Sequence, residues 1–127
     1  MAQRLRTHRD LKVWQQTMAL AESVYHATAE FPLAERFGLV AQMRRAAVSV
    51  PANIAEGAAR SSSKEFAKFL SVARGSLSEL ETQLELARRL GFVNDGLSLL
   101  RQCNSSGQML SRLIFSIRRR VRAQAAK

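Results

Sequence analysis

Four polar side chains stand where a site could form. Arg45, Ser49 and Asn53 follow at four-residue steps and Glu56 comes three later; at about 100° per residue all four fall within a sector of roughly 80°. They border an apolar stripe, since Ala46, Val50 and Ile54 sit one residue along from the first three. Polar groups at such a boundary need partners, because a buried one left unpaired costs about 1–3 kcal/mol. Ser76, Glu79 and Gln83 share one face of a later helix and are the natural candidates. The stripe reads as an interhelical or intersubunit polar network that fixes register; a pocket for a ligand or a nucleic acid is the alternative.

A second kind of chemistry resides in charge. The chain has 20 Lys+Arg against 10 Asp+Glu, a formal net charge of +10. Residues 1–12 carry four basic and one acidic, residues 13–100 nine of each, and residues 101–127 seven basic and no acidic. The surplus is therefore at the two ends. Arg118, Arg119, Arg120 and Arg122 close the chain with Arg112 ahead of them, while Arg4, Arg6 and Arg9 open it. Arginine is used almost throughout, and its planar fork suits phosphate oxygens. These eight arginines are the candidate nucleic-acid contacts, with binding that weakens steeply with salt. The competing reading is a solvated fringe that only aids solubility. The C-terminal segment has no Trp or Phe opposite its charge, and Ala123, Ala125 and Ala126 insert weakly, so no membrane attachment is expected.

Catalytic and metal signatures are sparse. Two His, one Cys and one Tyr are available, with no Gly-rich phosphate loop and no nucleophile beside a base, so no enzyme and no cofactor are expected. Glu22, His26 and Glu30 fall at four-residue steps, the one metal-like spacing, but no second His or Cys completes a site. A di-iron bundle would need Glu-x-x-His pairs, and none occurs. No metal is expected. Glu81 and Glu85 read as a salt-bridged surface, Glu85 having Arg88 and Arg89 three and four residues on.

Helices must position these groups. Leu11, Trp14, Met18, Val24 and Tyr25, with Ala21 between, recur with helical period; Asp10 can cap the start and Phe31-Pro32 closes it. A second stripe runs through Phe37, Leu39, Met43, Ala46, Ala47, Val50 and Ile54 and contains Pro51, so a kink or a broken helix is expected there. Ser62 and Glu65 have capping-box spacing ahead of a stripe from Phe66 to Leu90, which Gly91 ends. After Asn94-Asp95-Gly96, Leu97 to Val121 keep the same period. No stretch alternates with period two, and the connections are short, which predicts an all-α, up-and-down antiparallel four-helix bundle.

At 127 residues the chain suits one domain: a basic N-terminal arm at 1–9, the bundle at 10–117 and a basic C-terminal tail at 118–127. Cys103 is the only cysteine, so no disulfide forms within the chain and a reducing compartment is expected. The basic start is not followed by an apolar run, and nowhere do 18 apolar residues run together; a cytoplasmic protein is expected.

Read in order, Asp10-Leu11-Lys12-Val13-Trp14, then Phe31-Pro32, Glu35 and Phe37-Gly38-Leu39, lead into the block Gln42–Gly57, followed by Glu65-Phe66, Phe69-Leu70 and Ala73–Leu80. This pattern, covering about residues 10–92, resembles the four-helix-bundle family first noticed as reading frames in intervening sequences of bacterial 23S rRNA genes. The resemblance implies ring-shaped homopentamers. It also implies kinship with the accessory proteins of diversity-generating retroelements, basic barrels that bind nucleic acid and a reverse transcriptase. The family's polar motif falls on Arg45, Ser49, Asn53, Glu56 and Gly57, with Gly75, Ser76 and Glu79, and carries no catalytic assignment. The ribosomal label some members bear rests on gene location. Together these readings predict a non-enzymatic, self-assembling bundle that binds RNA or DNA through its basic ends. The alternative is a structural adaptor for a protein partner.

Overall fold

The structure, a computed structural model, describes residues 7–126. Four helices form: α1 (Lys12–Thr28), α2 (Leu39–Ala58), α3 (Ser63–Arg89) and α4 (Gly96–Ala125), with short 3-10 turns at His8–Asp10 and Leu33–Glu35 and no strand among the described residues. The ends of α3 follow the sequence signals. Ser62 Oγ accepts the Glu65 N–H at 3.2 Å. At the other end Gly91, with φ of 77°, turns the chain so that the Phe92 and Gly91 amides donate to the Ala87 and Arg88 carbonyls, a Schellman closure. Asp95 caps α4 by accepting the Ser98 N–H.

Three local expectations need correction. Asp10 does not cap α1: Thr7 Oγ1 accepts the Arg9 N–H and nucleates a separate 3-10 turn that contains Asp10, leaving extended Leu11 as the cap residue. Of the kink or break expected at Pro51, the break does not occur: α2 is one helix through Pro51, which is itself buried between fully buried Val50 and Ile54. Phe37 lies in the turn before α2 and is 88% exposed, because α2 starts only at Leu39, whose amide is met by Glu35 Oε1.

The buried face of α1 is also rotated from the one its largest apolar residues suggest. Val13, Thr17, Leu20, Ala21, Val24 and Thr28 face the core, while Met18 and Tyr25 are 39% and 43% exposed. Thr17 and Thr28 can be buried because each hydroxyl donates back one turn, to the Val13 and Val24 carbonyls at 2.8 and 2.7 Å. Leu90 and Leu97, placed on core stripes by spacing alone, are likewise exposed at the α3–α4 turn.

Packing is cyclic: α1 on α2, α2 on α3, α3 on α4, and α4 back on α1. Contacts show each pair to be antiparallel. Arg44 of α2 donates to Thr28 Oγ1 of α1 at 2.9 Å. Gly57 meets Phe66 and Phe69, whereas Ser49 meets Ser76. Gly107 lies against Leu77 and Gly96 against Arg88. Gln16 donates to Ser105, closing α1 on α4. The up-and-down antiparallel bundle therefore brings the start of α1, the α2–α3 turn and the end of α4 to one end of the molecule.

Candidate nucleic-acid interface

Topology concentrates charge that the sequence spreads over three places. Residues 7–19, 49–75 and 107–126 make one half of the bundle and hold eleven Lys and Arg against three carboxylates, Asp10, Glu56 and Glu65. Residues 20–48 and 76–106 make the other half and hold six against seven. Helix α4 contributes most, carrying six arginines and no acid. Four arginines in its last two turns are tolerated because cations near a helix C-terminus meet the partial negative charge of its unpaired carbonyls.

Some of these cations are anchored. Arg118 Nη2 donates to Ser71 Oγ at 2.9 Å, tying α4 to α3. Arg60 pairs with Glu56 and lies 4.9 Å from the centre of the Phe69 ring. Arg9 sits 5.6 Å from the Trp14 ring, and Arg119 6.0 Å from that of Phe115. Lys64, Lys68, Arg112, Arg119, Arg120 and Arg122 are exposed and form no ion pair among the described residues, Arg119 having only its ring contact. Lys64, Lys68, Arg118 and Arg122, with Glu65 as the one acid beside them, rim a groove between α3 and α4 of about 590 Å³, floored by Ala67 and Val121. Such a rim can hold phosphate oxygens at several points, with the side chains' methylene stems lying along the apolar floor.

Of the arginines picked out from sequence, Arg9, Arg112, Arg118, Arg119, Arg120 and Arg122 lie in this half, and Arg4 and Arg6 fall outside the described residues. Residues 118–125 are not a detached tail; they continue α4, so their charges are held in helical register. Sequence reasoning missed Arg60, Lys64 and Lys68. Their charge is balanced locally along the chain, and only antiparallel pairing sets them beside α4. The signal was present in the Ser62 capping box, which marks the α2–α3 turn.

The polar stripe on α2 forms a smaller network than its spacing suggests. Ser49 and Ser76 hydroxyls meet at 2.8 Å, and Asn53 Nδ2 donates to both the Ser49 carbonyl and its Oγ, at 2.8 and 3.0 Å. Arg45, Glu56 and Glu79 do not join it. Glu56 turns to Arg60 one helical turn away, Glu79 accepts from Gln83 Nε2 at 3.3 Å, and Arg45 reaches solvent. Long side chains on an outer helix face gain more from water than from bending inward. Arg45 and Glu79 edge a shallow depression with Gln42, Ala46, Ser49 and Ser76. Neither serine hydroxyl is bonded to a carboxylate or an imidazole, so the depression has no activated nucleophile.

Elsewhere the titratable groups are occupied structurally. Glu85 accepts twice from Arg88, at 2.9 and 3.0 Å, and once from Arg89 at 3.4 Å. The Arg88 hydrogen bond, more than its charge, holds the Glu85 carboxyl below its ordinary range. Burial, and secondarily Glu81, pushes the Cys103 thiol up to about 12, which leaves it inert near neutrality. Among the described residues, no group of three His, Cys, Asp or Glu could hold a metal ion, Glu22, His26 and Glu30 included. No helix among them is long and apolar enough to cross a membrane.

Comparison with known proteins adds the following. The profile of the family described as 23S rRNA-intervening sequence protein matches residues 9–112, which reaches past the motifs noted above into α4. A comparison with curated proteins finds no match. Among solved structures, the chain is similar to a protein of unknown function from the S23 ribosomal protein family of Bacteroides thetaiotaomicron. The TM-score is 0.73 at 22% identity, over 80% of this chain and 97% of that one. At that identity the likeness concerns the fold.

Proposed function

Taking as premise that this chain belongs to the 23S rRNA-intervening sequence protein family, we propose that it is a non-enzymatic, self-assembling bundle of the cytoplasm that binds RNA or DNA through its cationic end. One observation carries the reading. The fold gathers Lys64 and Lys68 from α3 with Arg112, Arg119, Arg120 and Arg122 from α4 on one half of the molecule, and leaves all six without a carboxylate partner among the described residues. Repeated around a homo-oligomer, pentameric by family resemblance, these patches would form a continuous phosphate-seeking rim. Multivalency of this kind raises avidity without new contacts. Val48, Val72 and Leu86, exposed on the outer faces of α2 and α3 on either side of the serine pair, supply apolar surface for assembly.

Changing Arg118, Arg119, Arg120 and Arg122 together to Gln tests the reading. Binding of mixed-sequence RNA at low salt is expected to disappear in an anisotropy titration, with the particle mass unchanged. Retained binding would contradict it.

A protein-partner adaptor is the second reading, and Leu33 and Phe37 favour it. They are 85% and 88% exposed in the α1–α2 connection, at the end away from the cations. Salt separates the two readings, since phosphate binding falls with added salt in proportion to the contacts made, whereas an apolar contact does not.

A further inference from the structure

We infer that the outer face of α4 binds unpaired rather than duplex nucleic acid, with Phe115 as the platform on which a base stacks; this rests on the nucleic-acid reading above. Arg101, Asn104, Gln108, Arg112, Phe115, Arg119 and Arg122 are spaced so that all seven fall within roughly 80° of one another around the helix. All seven are exposed, and α4 offers no acid along its 30 residues. In the middle of this cationic face stands a phenyl ring that is 61% exposed. Phe31 is buried in the core, and Phe66 and Phe92 pack against it half-buried, so Phe115 contributes least of these to folding.

The ring is flanked by Arg112 one turn before and Arg119 one turn after, the latter with its guanidinium 6.0 Å from the ring centre. That pattern, an aromatic face between two cations about 10 Å apart along the axis, can take one base on the ring and its neighbouring phosphates on the arginines. In a duplex the base faces are already stacked on one another, and a side chain reaches them only by unstacking a step, at a cost of about a few kcal/mol. Only a loop, an end or a single strand presents a free π-face. The same charge argues against a two-fold pairing of this face with its own copy, since like charges would meet.

The test uses the full chain with a labelled oligouridine strand and a labelled RNA duplex of equal length, titrated by anisotropy at low salt, for wild type, Phe115→Ala and Phe115→Trp. Particle mass is measured by ultracentrifugation and folding by thermal melting. Wild type is expected to prefer the single strand by about tenfold, and Phe115→Ala to lose about that factor on the strand alone, with the duplex and the salt slope unchanged. Phe115→Trp should restore binding, with its indole fluorescence quenched by the bound strand. If Phe115→Ala binds oligouridine like wild type while the four-arginine variant does not, stacking is wrong and the electrostatic reading stands. If wild type binds neither probe, both readings fall. A change of particle mass in Phe115→Ala would make this face a subunit contact and overturn the inference.

Discussion

The two ends of the bundle use arginine in opposite ways. Near the α1–α2 and α3–α4 turns the guanidinium groups are spent on the protein itself. Arg44 donates to Thr28 Oγ1 and the Tyr25 carbonyl and covers the Tyr25 ring at 4.5 Å, while Arg88 and Arg89 converge on Glu85. At the other end Arg60 pairs with Glu56, while Arg112, Arg119, Arg120 and Arg122 of α4 are exposed and form no ion pair among the described residues. Like charges gathered this densely repel and do not help the bundle fold. Arginine thus serves mostly local structure at one end and is left mostly exposed at the other.

The largest contrast should appear in binding. The four-arginine variant of α4 is expected to lose at least about a hundredfold in RNA affinity at low salt, whereas Arg36, Arg88 and Arg89 changed together to Gln should lose less than about twofold. Equal losses from the two ends, read by anisotropy, would dissolve the distinction.

A smaller effect tests how the α2–α3 seam is built. A methyl at Gly57 would stand 2.8 Å from Phe69 Cβ and 3.2 Å from the Phe66 carbonyl, so Gly57→Ala should destabilise by about 1–3 kcal/mol. Gly75, exposed on α3, has nothing within 4 Å of such a methyl, and Gly75→Ala should stabilise by up to about 1 kcal/mol. Urea melts decide both signs. A stable Gly57→Ala would mean the helices are not closed at the cationic end.

Cys103, in the balanced half, gives a kinetic check. With its thiol pushed up to about 12 by burial, it should be silent to a disulfide reagent at pH 8 and react only as the chain opens in denaturant. Prompt labelling of the native protein would show that the α3–α4 packing is looser there.

The smallest effect concerns Glu85. Its carboxyl is held below the ordinary 4.5, so whatever stability its pairs add is present above that value and fades as pH falls through the lowered one. Glu85→Gln should lower the melting temperature slightly at neutral pH and not at all at strongly acid pH. Being solvent-exposed, the pairs are weak, and a large neutral-pH loss would contradict their surface character.

Much of this was legible in the residues. The Ser62 cap, Gly91, the Asn94-Asp95-Gly96 turn and the stripes of α3 and α4 gave the element order, and short connections gave antiparallel neighbours. What failed to read through were features decided by polar detail. Thr17 and Thr28 occupy core positions that their type disguises, because a bond back to the preceding turn hides each hydroxyl. The stripe on α2 announced its Ser49–Asn53 step, yet gave no sign that Glu56 would prefer Arg60. The cationic end was half visible. The segregation of charge into the chain's ends pointed to it, but Lys64 and Lys68 belong to it only through folding. Phe115 was hidden for a different reason: a lone aromatic in a helical segment looks like core until burial is known.

Affinity for a single-stranded oligonucleotide as a function of salt, from about 50 to 300 mM, probes the central claim most directly. The account predicts a linear fall of log affinity against log salt with a slope near −3 or steeper, as expected for four or more phosphate contacts at about 0.7 each. A slope near zero, or no binding in dilute buffer, would contradict it.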